Sequence, residues 1–64
     1  MIENRVKECR EEAGLTQEEL SKMSGISRTM ISKLETNQKV DCKISTLMAI
    51  AMVLKKPVSE IFLP

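Results

Sequence analysis

The side chains of this 64-residue chain that could do chemistry are few, and their types narrow the choice quickly. There is no His, and Cys9 and Cys42 are the only cysteines, so no zinc-ligand spacing exists. The chain has no glycine-rich phosphate loop and no acidic cluster at metal-ligand spacing. Glu11-Glu12 and Glu18-Glu19 read instead as solvated helix faces and first-turn charges that complement a helix dipole. The expectation is a protein that is not an enzyme and takes no cofactor, metal or small-molecule ligand. What is left is a short polar series, Arg28, Thr29, Ser32 and Lys33, whose chemistry is hydrogen bonding and charge pairing.

The charges around that series are unevenly spread. Residues 20–56 carry seven cations against two carboxylates, and the remainder carries three cations against seven carboxylates, although the net charge is only +1. A domain polarised in this way suits a protein that lays one face on phosphates. A chance spread of solvated charge would look the same, so the total alone does not name a partner. The two cysteines are too few for a disulfide framework and read as free thiols in a reducing cytoplasm. The N-terminal stretch has no apolar signal core, and the longest apolar run, Leu47 to Leu54, is far too short to span a membrane. The sequence therefore predicts a soluble, cytoplasmic protein with no membrane partner.

The elements that position the polar series follow from periodicity and punctuation. With one Phe and no Tyr or Trp, the core must be aliphatic, and the five Met read as core filler. Ile2, Val6 and Ala13 mark a first helix over residues 2–13, stopped by Gly14. Thr16 and Glu19 form a capping box, so a second helix starts at Gln17 and runs to about residue 23. Gly25 supplies the positive φ of a sharp turn, and Ser27 caps a third helix through Glu35. On that helix Met30, Ile31 and Leu34 share an inner side, while Arg28, Thr29, Ser32 and Lys33 point elsewhere. A fourth helix, 44–54, is apolar on nearly all sides, with Leu47, Ile50, Ala51 and Leu54 as its main stripe, and should lie at the centre of the domain. Pro57 suits the first turn of a short fifth helix, 57–62, whose Val58, Ile61 and Phe62 can close the core.

Two short helices, a three-residue turn containing Gly25, and a second helix with a polar outer face make a helix-turn-helix pattern. Ser21 is small where the two helices approach, and Leu20, Ile26, Ile31 and Leu34 fasten the unit to the body. The stretch from Leu15 to Glu35 resembles the Cro and phage-repressor (XRE) helix-turn-helix family, and Thr46–Leu54 and Val58–Phe62 resemble its fourth and fifth helices. The resemblance covers essentially the whole chain. It implies an all-α fold, a five-helix lambda-repressor-like domain over residues 1–64 that binds double-stranded operator DNA, commonly as a dimer.

Roles carried over by that resemblance fall on particular residues. Gln17 matches a Gln that anchors to a phosphate and braces the recognition helix. Ser27, Arg28, Thr29, Ser32 and Lys33 match positions facing the major groove, with Ser27 at the backbone and the other four assigned to base edges, where Thr29 meets a thymine methyl or a phosphate and Lys33 a guanine or the backbone. Arg28 is the best base reader, because its planar fork can meet guanine O6 and N7 together. Asn37, Gln38 and Lys39 match the loop that follows the phosphate backbone. Arg10 and Glu35 match an ion pair bridging the first and third helices. Lys55 stands where the family often has Gly, implying a fourth helix that runs on or ends under strain. Lys43 and Pro57 stand where Ser is frequent, which puts both caps in question.

The reading is a sequence-specific transcription regulator, a small repressor binding a palindromic operator as a homodimer. One helix-turn-helix covers too few base pairs to select a site alone, and a core this small supplies no more than roughly 3–5 kcal/mol. Pairing would help on both counts. The expected dimer contact is the C-terminal end, Ile61, Phe62 and Leu63, since so small a domain need not bury three large apolar side chains there. Plugging of the core by Ile61 and Phe62 is the alternative. An alternative function is a protein-interaction module, antitoxin-like, that keeps the fold with weak or no operator binding.

Overall fold

The computed structural model describes residues 3–36, 38 and 42–63, the side chains of Glu3 and Leu63 excepted. Five helices follow one another: α1 (Val6–Glu12), α2 (Gln17–Ser24), α3 (Arg28–Glu35), α4 (Ile44–Leu54) and α5 (Val58–Ile61). Two strands of two residues, β1 (Glu3–Asn4) and β2 (Phe62–Leu63), pair antiparallel and tie the two ends of the described chain together. The fold is all-α with this one small clasp.

The predicted first helix is cut short at its start. It begins at Val6 rather than residue 2, because Glu3 and Asn4 pair with Leu63 and Phe62, and the Asn4 carboxamide oxygen accepts the Val6 N–H at 3.1 Å. Ile2 lies outside the described residues. At the other end the Leu15 N–H reaches back to the Arg10 carbonyl at 3.1 Å while Gly14 adopts φ +73°, the six-to-one closure that a left-handed residue permits. The capping box of α2 is complete: Glu19 N–H donates to Thr16 Oγ1 at 3.0 Å, and Thr16 N–H donates to Glu19 Oε1 at 2.9 Å.

Helix α4 departs from expectation in a way that bears on partners. Ile50, Ala51 and Leu54 are buried and Leu47 is partly so, as the stripe predicts. Yet Ile44, Met48 and Met52 are 75%, 53% and 78% exposed, so this largely apolar helix is covered on one side only. Methionine as core filler fails for Met48 and Met52 and for the exposed Met23, holds for Met30, which packs partly buried against the core, and falls outside the described residues for Met1. Lys55 ends α4 at Leu54 in the left-handed region, φ +56°, the only positive-φ residue other than Gly among those described. The helix therefore stops under strain instead of running on. Neither Lys43 nor Pro57 supplies a side-chain cap.

The core gathers Val6, Cys9, Leu20, Ile31, Leu34, Ile50, Ala51, Leu54, Ile61 and Phe62 from all five helices and β2. The last helix is shorter than predicted, Val58–Ile61 with Pro57 at its N-cap, because Phe62 turns into the clasp. Ile61 is fully buried and Phe62 is 9% exposed. The reason given for placing them on a dimer surface therefore fails: this domain does bury both, by folding its C-terminal strand back on β1.

Candidate nucleic-acid interface

The helix-turn-helix is α2, the turn at Gly25, and α3. Gly25 caps α2 at φ +75°, and its N–H donates to the Ser21 carbonyl at 2.9 Å. Ser21 Oγ donates to the Ile26 carbonyl at 2.6 Å, so its small size comes with a bond that fastens the turn. Ile26 N–H in turn donates to Ser24 Oγ at 3.2 Å. Ser27 opens α3 by accepting the Met30 N–H at 3.2 Å. Leu20, Ile31 and Leu34 are buried, which fixes the opposite face of α3 outward.

That outer face is where the predicted residues meet. Gln17, Arg28, Thr29, Ser32, Lys33 and Gln38 line one shallow, open, polar cleft. Arg28, Thr29 and Lys33 are exposed and Ser32 is half-buried. Arg28 and Lys33 form no ion pair among the described residues, whereas Arg5, Arg10, Lys22 and Lys56 each have a carboxylate. Two unpaired cations in a cleft of hydroxyls and amides suit an anionic ligand. Ser27 lies beside the cleft as the exposed cap of α3. Gln38 is held by its own loop, its N–H on the Lys33 carbonyl at 2.9 Å and its Nε2 on Thr36 Oγ1 at 3.0 Å. Asn37 and Lys39 lie outside the described residues.

A part-buried ionic network sets α3 against the rest. Arg10 Nε donates to Glu35 Oε2 at 2.7 Å and its Nη2 to Oε1 at 3.2 Å, the bidentate form. The two side chains are 13% and 3% exposed. Arg10 Nη1 also donates to the Leu15 carbonyl at 2.6 Å, and Gln17 Nε2 donates to Glu35 Oε1 at 3.1 Å. The hydrogen bond to Glu35 holds the Arg10 guanidinium above its ordinary value. The bridge between α1 and α3 is thus present, and it extends to the first residue of α2. Gln17 faces the cleft and the network together. Asn4, which sequence reading passed over, donates from Nδ2 to the Leu34 carbonyl at 2.7 Å, near the end of α3.

A half-exposed polar face on the second helix of a tight helix-turn-helix, inside a five-helix body, defines a DNA-binding domain. The chain belongs to the helix-turn-helix family whose model, HTH_3, matches residues 6–61, the Cro and phage-repressor (XRE) type. Its members are DNA-binding regulators rather than enzymes. Among solved structures, a chain of the SinR protein/SinI protein complex superposes with a TM-score of 0.82 at 30% identity. The match covers 92% of this chain and 57% of that one, so this chain spans little more than half of its structural relative. No curated protein matches it. Among the described residues no helix is long and apolar enough to cross a membrane.

Proposed function

We propose that this chain is a sequence-specific transcription regulator of the cytoplasm, a small repressor that binds a palindromic operator as a homodimer through the major groove. The observation that carries the reading is the convergence of Gln17, Arg28, Thr29, Ser32, Lys33 and Gln38 on one cleft of α3's outer face. Arg28 meets a guanine edge with its planar fork, and Thr29, Ser32 and Lys33 contact neighbouring base edges. Gln17, Ser27 and Gln38, with Asn37 and Lys39, hold phosphates and fix the register. Selecting binding sites from random DNA, then titrating the selected duplex across a salt series by fluorescence anisotropy, tests this. The operator should bind about a thousandfold more tightly than random DNA, and both affinities should fall as salt rises. Equal affinity for the two would contradict it.

For the homodimer, Met48, Ala51, Met52, Pro57 and Val58 form the apolar part of one shallow depression that Lys55 and Lys56 also line, and Met48 and Met52 are exposed there. No charged residue occurs from Ile44 to Leu54, so a two-fold axis beside the body of α4 brings no like charges together there, and Lys55 and Lys56 follow only at its end. Lys56 at the rim has Glu12 at 3.9 Å. This corner replaces Ile61 and Phe62 as the contact. Sedimentation should show self-association that Met52→Glu abolishes without unfolding the chain. A wild type that stays monomeric at tens of micromolar, free and on DNA, ends the dimer proposal. The same exposed stripe is what favours the second reading, a protein-interaction module, which predicts weak or no operator binding.

A further inference from the structure

We infer that Asn4 is a positioning residue for the recognition helix, locking the last turn of α3 to the terminal clasp; the consequence for DNA rests on the reading above. The last four carbonyls of a helix have no partner within it. In α3, Ser32 O accepts the Thr36 N–H at 3.1 Å and Lys33 O accepts the Gln38 N–H at 2.9 Å. The next carbonyl, Leu34, takes the Asn4 Nδ2 donor at 2.7 Å from thirty positions earlier in the chain. The other end of the same carboxamide accepts the Val6 N–H at 3.1 Å and so starts α1. Asn4 therefore needs a donor and an acceptor at once, which an amide supplies and a carboxylate does not.

The backbone under it is fixed as well. Asn4 pairs with Phe62 across the clasp, and the Arg5 N–H donates to the Ile61 carbonyl at 2.6 Å. Leu34 directly follows Lys33, and Ser32 stands one residue before that, both lining the cleft. A bond on the Leu34 carbonyl thus acts on the last turn of α3, which carries Ser32 and Lys33, as the Arg10–Glu35 pair does one residue later. Operator readout depends on where Ser32 and Lys33 point. Affinity for random DNA, carried by phosphate contacts, depends on it far less.

Two variants separate this role from capping. Asn4→Ser keeps a hydroxyl that can accept the Val6 N–H but ends one atom short of Leu34. Asn4→Asp keeps the length and the acceptor but has no donor. Both should remain folded, with a lower operator-to-random affinity ratio by about three- to tenfold. Amide exchange at Thr36 and Gln38 should quicken by a similar factor while that of Leu20 and Gly25 stays at the wild-type rate. A wild-type ratio in either folded variant, equal losses on operator and random DNA, or unchanged exchange at Thr36 and Gln38 overturns the inference. A wild type without DNA binding would defeat the functional reading, and the exchange rates would still decide whether the bridge holds α3.

Discussion

Arg28 and Glu35 stand at the two ends of α3 and illustrate how exposure divides recognition from support. Arg28 is exposed and unpaired among the described residues, so its removal should spare the fold and fall on readout. Arg28→Ala should cost about 1–3 kcal/mol on the selected operator and relax preference at one base pair, leaving random DNA less affected. Competition titrations on single-base variants of the operator would show it, and equal loss on every sequence would remove Arg28 as a base reader. Glu35 is the reverse case. With its side chain 3% exposed and Arg10 13%, Glu35→Ala leaves a part-buried guanidinium without its counter-charge and should lower stability by about 1–3 kcal/mol. Thermal melts of both single variants and the double give the coupling, and small additive losses would contradict the bridge. The cysteines carry a pH-dependent expectation of their own. Burial pushes both thiols above their ordinary value, so less thiolate is present at neutral pH than for a free cysteine. Alkylation of the folded protein should be slow at pH 7 and quicken as pH rises, with denatured protein reacting faster throughout.

At the scale of elements, Lys55 offers the clearest test. Its left-handed φ of +56° carries strain that Gly would not. Lys55→Gly should raise the melting temperature, by about 4–8 °C if roughly 1 kcal/mol is released. A fall would mean that the lysine side chain contributes more than the strain costs. The sequence identified the capping box at Thr16 and Glu19 and the Ser27 cap, because each is decided by neighbours within four residues, whereas the Lys55 junction stood out only through the family resemblance. It also placed the polar face of α3, since burial of Ile31 and Leu34 fixes the helix rotation. The start of α1 was not legible in the same way. Glu3 and Asn4 have acceptable helical neighbours, and what removes them from the helix is a strand almost sixty residues away. Periodicity within a window carries no trace of such a partner. The exposure of Met48 and Met52 escaped for a related reason: an apolar helix signals burial, and only the arrangement of the other helices shows which side is left open.

Across the whole molecule, the clasp, the Arg10–Glu35–Gln17 network and the Asn4 bridge all converge on holding α3 against α1 and the chain ends. The open α4–α5 corner is a separate apolar surface, lined by residues that take no part in the cleft. DNA binding on one and self-association on the other can therefore be tested independently, Met52→Glu for the second and Arg28→Ala for the first. The central claim is that the outer face of α3 is the DNA surface, and it is tested most directly by following backbone amide resonances while the selected operator duplex is added. The amides of Gln17, Ser27 to Thr29, Ser32, Lys33 and Gln38 should shift most and together. Shifts confined to Met48, Met52 and Val58, or none at any site while the DNA remains free, would contradict it.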